Sequence, residues 1–215
     1  MRQHTRNAVG FVVLAILMAA LFYWNINTGS VHLSLERMLT LLRWGNDGTT
    51  EGNILWKIRL SRLLGAALLG GALSIAGFLL QTFFKNPIAG PFVLGISSGA
   101  SLGAVLAMLL GVSLPVLGRL SVSAGAFAGA LVSILLVYLL ARTRNAVTPI
   151  RLILVGVAVS AMFQAFTNYI VYTAPDDAAV REATFWMLGG LGSAEWADVP
   201  LLAGLVPPAL LLMLA

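Results

Sequence analysis

The residues most suggestive of chemistry are Gly95-Ile-Ser97-Ser-Gly99, which match the G-x-S-x-G pattern around a nucleophilic serine. Such a serine needs a preceding strand, and a histidine and an acid within reach to activate it. The only histidines are His4, in the N-terminal tail, and His32. The sequence therefore disfavours a catalytic Ser97, and an intramembrane serine hydrolase is kept only as an alternative from another functional class.

Other reactive groups are missing from the sequence. The chain has no cysteine, which excludes disulfides, thiolate zinc sites and iron–sulfur clusters. It contains no GxxxxGK[ST] phosphate loop, and no histidine or carboxylate cluster has the spacing of metal ligands. We therefore expect no catalytic residue, metal or cofactor in this chain, and a role that consists of binding and conformational change.

The composition indicates a membrane protein. Of 215 residues, 59% are hydrophobic and 10% charged, whereas a soluble domain carries roughly 25% charge. The mean hydropathy is +0.93. The basic residues behind the net charge of +5 lie between apolar runs, which points to membrane topology and not to nucleic acid.

The elements that position any site must therefore be membrane-spanning helices. A span needs about 20 apolar residues, and six segments qualify: 8–24, 63–83, 95–111, 120–141, 152–172 and 199–215. The first is predicted to be a retained anchor, because its apolar run continues past Ala20 without a small-residue cleavage site. The predicted fold is all-α, a polytopic helix bundle that forms one transmembrane domain over residues 1–215.

The charges predict an orientation. With the N-terminus in the cytoplasm, the inner segments contain basic residues and no acid, namely Arg2, Arg6, Lys85, Arg142, Arg144 and Arg151. All eight carboxylates and the other seven basic residues then lie outside. The basic residues alone divide almost evenly, so the acid-free short inner loops carry this prediction.

Two features are predicted between the first and second spans. Leu35, Met38, Leu39 and Leu42 recur at helical spacing opposite polar residues, which predicts a short amphipathic helix at the outer interface. The stretch Gly45–Asn53 has the composition of turns and loops.

Small residues mark the faces on which helices are expected to pack, because lipid gives helices no hydrophobic drive to associate. We assign this role to seven glycines, in the second span (Gly70, Gly71, Gly77), the third (Gly99, Gly103) and the fourth (Gly125, Gly129).

Polar residues within the spans are costly to bury alone. Ser160, Gln164 and Asn168 follow one face of the fifth span, and Gln81 ends the small face of the second. They either bond neighbouring helices together or line a wet pathway. No charge lies in mid-span, which disfavours a proton relay.

The segment from Phe84 to Gly95 cannot continue a helix, because it contains two prolines and two glycines. Non-helical backbone near membrane depth is tolerated where protein or a water-filled cavity surrounds it. This break is either a simple connecting turn or a constriction.

The run from Arg59 to Gly103 closely resembles the FecCD-type permeases of ATP-binding-cassette (ABC) importers, which carry iron–siderophore complexes, haem or vitamin B12. Further matches lie at Arg151–Ala158, at Phe185–Gly190 and at Trp196. The resemblance implies a ten-helix BtuC-like permease fold, of which this chain holds the first six helices. It also implies a second permease subunit, a cytoplasmic ATPase dimer that binds ATP, and an extracytoplasmic substrate-binding protein.

The resemblance also assigns residues. Arg59 and Arg62 match an arginine pair that meets carboxylates on the binding protein, a role suited to fixed guanidiniums, although such a pair also snorkels at helix starts. Asn86, Pro87 and Ile88 match a loop that closes the cytoplasmic end of the pathway. The family's proline between the arginines is Ser61 here, which predicts a less rigid turn.

The leading hypothesis is thus an alternating-access permease of a bacterial or archaeal cytoplasmic membrane, with a passive channel or structural subunit as a further alternative. We expect a C-terminally incomplete permease that lacks the segment after the sixth helix, where the ATPase docks. We predict that this chain alone does not couple to ATP hydrolysis.

Overall fold

The computed structural model describes residues 2–29, 31–109, 121–142, 147–174 and 176–214, and these residues are helical except for their connecting segments. Their α-helices are α1 (Arg2–Asn27), α2 (Leu35–Trp44), α3 (Thr50–Asn53), α4 (Ser61–Phe84), α5 (Ile96–Leu109), α6 (Ser121–Ala141), α7 (Pro149–Tyr172), α8 (Asp177–Leu188) and α9 (Val199–Leu214). A π-helix over Ile54–Leu60 joins α3 to α4, and a short 3-10 helix over Pro91–Leu94 precedes α5. The prediction of an all-α protein is confirmed.

A helix lies over each of the six predicted spans. Four segments of the described chain are long and apolar enough to cross a membrane, namely Gln3–Asn27, Thr50–Phe84, Ser121–Ala141 and Pro149–Tyr172. The third and sixth predicted spans correspond to shorter apolar helices of 14 and 16 residues. Residues 110–111, 120 and 215, at the edges of predicted spans, lie outside the described residues.

The second spanning segment is much longer than the sequence predicts. Helical backbone runs for 35 residues from Thr50 to Phe84, whereas about 20 residues cross the hydrocarbon core. Roughly two-fifths of this segment must therefore extend beyond the hydrocarbon. The π-helix lies in its N-terminal part, and π-helical turns are rare and frequently occur at functional sites.

Two connecting segments contain helices that the sequence analysis did not predict. Gly45–Asn53 is not entirely loop, because α3 begins at Thr50 with the Thr49 hydroxyl accepting a hydrogen bond from Gly52 N at 3.1 Å. Helix α8 was not predicted. Its signal is present in Asp176, whose carboxylate accepts a hydrogen bond from Ala179 N at 2.7 Å and caps the helix.

The amphipathic helix predicted after the first span is confirmed as α2. The Ser34 hydroxyl caps its start by accepting a hydrogen bond from Arg37 N at 3.2 Å. Gly45 ends the helix at a positive φ of 90° and donates its N–H to Leu41 O. Glu36 in the first turn and Arg43 in the last turn both complement the helix dipole.

The chain separates into two compact units, one of residues 1–72 with 191–215 and one of residues 73–190. In the first unit, Ile26, Leu33, Met38, Leu41 and Leu55 form a small buried cluster. In the second unit, Val137, Val159 and Phe163 form the buried centre between α6 and α7. The prediction of one transmembrane domain over 1–215 stays a prediction.

Candidate functional site

In the second unit, the break after α4 is a turn fixed by side chains; we call residues 85–95 the broken segment. Lys85 adopts a positive φ of 49° and turns the chain out of α4. Gln81 Nε2 donates to Pro87 O at 2.9 Å, and Asn86 Oδ1 accepts from Ile88 N at 3.0 Å. These two bonds hold Ile88 at the tip of the turn with 87% of its surface exposed. The predicted gate residues and Gln81 therefore lie together.

The end of the broken segment is seated on α6 and α7. Gly95 has a φ of 71°, and the buried Ser133 hydroxyl donates to Gly95 O at 2.8 Å. A Cβ at Gly156 would lie 3.2 Å from Leu94 Cα, so the glycine lets the 3-10 helix approach α7. Sequence reasoning missed Ser133, whose signal was an isolated hydroxyl in an otherwise apolar stretch of helix.

The polar stripe of α7 divides into two parts. The Ser160 hydroxyl donates to Gly156 O of its own helix at 2.7 Å and faces Gly95, so it belongs to the seat of the broken segment. Gln164 Nε2 donates to Asn168 Oδ1 at 3.0 Å, and both amides are exposed. Their mutual bond lies along one helix and does not join two helices.

Four glycines bring α5 and α6 into backbone contact; we call Gly99, Gly103, Gly125 and Gly129 the glycine seam. A Cβ at Gly99 would lie 2.5 Å from Gly129 O. A Cβ at Gly125 would lie 2.8 Å from Gly103 O and from the Ala107 Cβ. Any side chain at these positions would meet backbone that cannot move aside while the helices stay together.

The glycines of α4 behave differently from the glycine seam. A Cβ at Gly77 would lie 4.0 Å from Pro91 Cδ, an ordinary contact. At Gly70 and Gly71 a Cβ would meet nothing within 4 Å of it among the described residues. The close packing that the sequence predicts for Gly70 and Gly71 is therefore not made within this part of the chain.

The first unit contains Arg59, which the structure buries. Only 8% of its surface is exposed. Its guanidinium donates through Nη1 to Ile26 O and through Nη2 to Val31 O at 2.6 Å. Ile26 lies in the last turn of α1, where carbonyls lack partners within the helix and a cation is favourable. A Cβ at Gly29 (φ 150°) would lie 2.7 Å from Arg59 Nη2, so a glycine is needed there.

Arg62 has the opposite environment. It is exposed, and its Nη2 donates to Gly192 O at 2.6 Å. The neighbouring Ser61 hydroxyl lies 3.3 Å from Ala194 O and 2.9 Å from Lys57 O. The two arginines of the predicted docking pair thus differ, because Arg59 is buried and Arg62 is exposed, and their docking role stays a prediction.

Two tryptophans complete this region. The rings of Trp56 and Trp196 stack with centroids 6.0 Å apart, and Trp196 Nε1 donates to Trp56 O. Trp56 Nε1 donates in turn to Leu41 O, at the end of α2, at 3.0 Å. We call Trp56, Arg59, Ser61, Arg62 and Trp196 the arginine cluster. Sequence reasoning missed the role of Trp56, because its partners are distant in the chain.

An ion-pair group joins α2 to α3. Arg37 contacts Asp47 at 2.5 Å and Glu51 at 2.9 Å. The pKa of Asp47 is lowered to about 2, first by the hydrogen bond from the Thr49 hydroxyl and then by the Thr49 N–H and Arg37, against partial desolvation. Bonds to Glu51 and then Asp47 raise the pKa of Arg37. The sequence analysis did not identify this group.

The serine motif does not form a nucleophile elbow. A 3-10 helix, and not a strand, precedes Ser97, and the serine lies exposed at the start of α5. Across the described residues, no group of three or more histidines and carboxylates could hold a metal ion.

These features define a helical membrane protein with a turn fixed by side chains between two of its apolar helices, α4 and α5. The chain belongs to the FecCD transport family, whose family model matches residues 16–215. The resemblance found in the sequence is thereby confirmed.

Its relatives include transport permeases for several chelates. The chain is 34% identical to the vitamin B12 import system permease protein BtuC of Serratia proteamaculans, over 96% of this chain and 58% of that protein. It is 33% identical to the hemin transport system permease protein HmuU of Yersinia pestis, over 98% of this chain and 61% of that protein. It is 35% identical to the Fe(3+) dicitrate transport system permease protein FecD of Escherichia coli, over 88% and 55% respectively. The chain therefore spans somewhat more than half the length of these relatives.

A solved structure shares the fold. An inward-facing metal-chelate type ABC transporter superimposes with a TM-score of 0.70 at 23% identity, over 87% of this chain and 55% of that one. At this identity the likeness establishes the fold alone.

Proposed function

We propose that this chain is a membrane-spanning permease subunit of a binding-protein-dependent ABC importer for chelated iron (siderophore or haem) or cobalamin. The relatives named for vitamin B12, hemin and Fe(3+) dicitrate support this substrate class. The chain would act with a second permease subunit, a cytoplasmic ATPase dimer that binds ATP, and an extracytoplasmic binding protein. It would itself bind no cofactor, and would lie in a bacterial or archaeal cytoplasmic membrane with its N-terminus inside.

The observation that carries the proposal is the geometry of the broken segment. Its tip is an exposed apolar side chain, Ile88, on a turn held by Gln81 and Asn86. A turn fixed in this way moves as a unit when its flanking helices move, so it can obstruct a pathway in one state and clear it in another. Such a switch needs an effector that binds the two states with different affinity. ATP on the partner subunits would supply it.

The α7 amides support a wet pathway. An amide that joined helices would bond to another helix, whereas Gln164 bonds to Asn168 on its own helix. Each amide keeps further donors and acceptors, which need water or a polar solute. We therefore propose that Gln164 and Asn168 face the pathway, and that Ser160 and Gln81 support the gate at its end.

For the binding protein, the structure favours Arg62 over Arg59. Arg62 is exposed and its guanidinium has five donor N–H groups, one of which reaches Gly192 O. A carboxylate on a docked protein could pair with the remainder.

Uptake tests the function. Cells that lack their own FecCD permeases would express the complete transporter and receive labelled ferric siderophore, haem or cobalamin. We expect ATP-dependent uptake of one of them, and a Ser97→Ala variant that transports normally. Absence of uptake for all three would contradict the proposed substrate class. Uptake without the ATPase would favour a channel.

Thiol labelling tests the gate separately, since the chain has no native cysteine. Labelling of an Ile88→Cys variant should change several-fold between ATP-bound and ATP-free transporter, if a gate opens and closes there. Ile150→Cys, which is also exposed but lies at the start of α7, is the control and should not change. Equal responses at both positions would remove the gate from the proposal.

A further inference from the structure

The apolar face of helix α2 is only partly buried by the described residues. Met38 and Leu41 are buried in the small cluster of the first unit. Leu35, Leu39 and Leu42 continue the arc but remain exposed, and we call them the leucine stripe. They recur at i, i+4 and i+7, so they form one continuous line along the helix.

We propose that the leucine stripe lies on lipid, so that α2 is an interfacial helix that anchors the segment between α1 and the long α3–α4 helix to the membrane surface. The proposal does not depend on which face of the membrane α2 occupies, nor on what the protein transports.

The position of α2 supports this assignment. Ile26, in the last turn of α1, is packed in the same cluster as Met38 and Leu41. Helix α1 is one of the spanning segments, and its large apolar residues are exposed along its length. Since α2 is packed against the end of a span, it lies at the level where α1 leaves the hydrocarbon. An exposed apolar stripe at that level continues the lipid-facing surface of α1.

The ends and faces of α2 are those of an interfacial helix. Trp44 is 79% exposed, and the Arg43 guanidinium lies 5.4 Å from its ring centroid. Tryptophan and arginine together are typical anchors at the boundary between lipid and water. On the far side of the helix, Arg37 is held by Asp47 and Glu51. The helix therefore presents charge away from the leucine stripe and apolar surface along it.

The size of the stripe argues for lipid over a second protein. Helix α2 has ten residues, which makes it about 15 Å long and about 10 Å wide, a footprint of roughly 150 Å². A stable protein interface takes about 800 Å² from each partner. Lipid sets no such minimum, because even one interfacial face gains free energy in proportion to the area it buries.

Spin labels at neighbouring positions of α2 test the proposal. Leu39→Cys places a label on the stripe, and Thr40→Cys places one a quarter-turn away on the polar face, both in an otherwise cysteine-free chain reconstituted in liposomes of phosphatidylcholine and phosphatidylglycerol. Collisions with oxygen report lipid, and collisions with a water-soluble nickel chelate report water. We expect the ratio of oxygen to nickel accessibility to be at least about threefold higher at 39 than at 40.

The other outcomes overturn the proposal. Equal nickel access at both positions means that the stripe lies in water, and protection of position 39 from both reagents means that a protein covers it. A second pair of labels provides an independent measurement, with Leu42→Cys on the stripe and Glu36→Cys on the polar face, both exposed positions. The same ratio should again be higher at 42 than at 36, and equal ratios would contradict the inference.

Discussion

The arginine cluster and the glycine seam hold helices together by opposite means. In the arginine cluster, long side chains reach carbonyls far away in the sequence, as Arg59 does to Ile26 O and Arg62 to Gly192 O. In the glycine seam, side chains are absent, so backbones touch directly. The difference follows from where backbone groups lack partners. Within a span the helix satisfies its own N–H and C=O groups, whereas at helix ends and turns the carbonyls need donors from elsewhere.

The largest expected effect is in the glycine seam. A Gly103→Leu substitution places atoms where the backbone of α6 lies, so α5 and α6 must separate. We expect a loss of about 3 kcal/mol in the free energy of unfolding, measured by denaturant titration in detergent micelles.

Gly70→Leu is the matched control, because a side chain there meets open space. It should change the same free energy by about 0.5 kcal/mol or less. Equal losses for both variants would mean that backbone contact does not hold this pair of helices together.

The arginine cluster predicts the next largest effect. Arg59→Gln leaves the carbonyls of Ile26 and Val31 without their charged donor. Because an unsatisfied buried acceptor costs about 1–3 kcal/mol, we expect a loss of about 2 kcal/mol in the same titration. Arg62→Gln removes an exposed donor and should cost about 0.5 kcal/mol.

Arg59→Lys sharpens this test, because it keeps the charge but loses the fork that bonds two carbonyls at once. It should restore part of the stability. If Arg62→Gln lowered the stability more than Arg59→Gln, the assignment of Arg59 as the buried arginine that stabilises this region would be wrong.

A smaller effect concerns the tryptophan stack. Trp196→Phe keeps an aromatic ring against Trp56 but removes the donor to Trp56 O. We expect a loss of about 1 kcal/mol in thermal or denaturant unfolding. Trp24→Phe, at an exposed ring of α1, is the control and should change the stability little.

The smallest effect depends on pH. Because folding lowers the pKa of Asp47 from 3.8 to about 2, its contribution to stability is complete above about pH 4 and is lost as the pH falls through 2. Hydrogen exchange of the 46–52 backbone should therefore accelerate between pH 4 and pH 2, after correction for intrinsic rates. Asp47→Asn should flatten that dependence, and Thr49→Val should move it to higher pH, because the Thr49 hydroxyl is the main cause of the lowered pKa. If neither variant changed the pH profile, Asp47 would be excluded as the group that causes this dependence.

Sequence reasoning succeeded where the signal was local. The glycine pairs four residues apart predicted helix faces, and the structure brings Gly99 and Gly103 against Gly125 and Gly129. The prolines and glycines after Phe84 predicted the broken segment. Sequence reasoning did not predict where the end of that segment packs, because Ser133 bonds to Gly95 across 38 positions of the chain.

Sequence reasoning could not decide where one pattern allows two outcomes. Gly70 and Gly71 look like packing residues, but the described residues leave them open. A hydropathy pattern reports that a helix face is small, and carries no information on whether another helix comes to cover it.

The sequence by itself determined the class of protein, since apolar runs of spanning length and small residues at four-residue spacing are properties of neighbouring positions. Only the tertiary structure decided which of two arginines is buried and which is exposed. Arg59 and Arg62 are the same residue type three positions apart, in one helical run from Thr50 to Phe84. They differ in the carbonyl oxygens within reach. The end of α1 and the following turn place two carbonyls beside Arg59, whereas Arg62 bonds to one carbonyl at the surface.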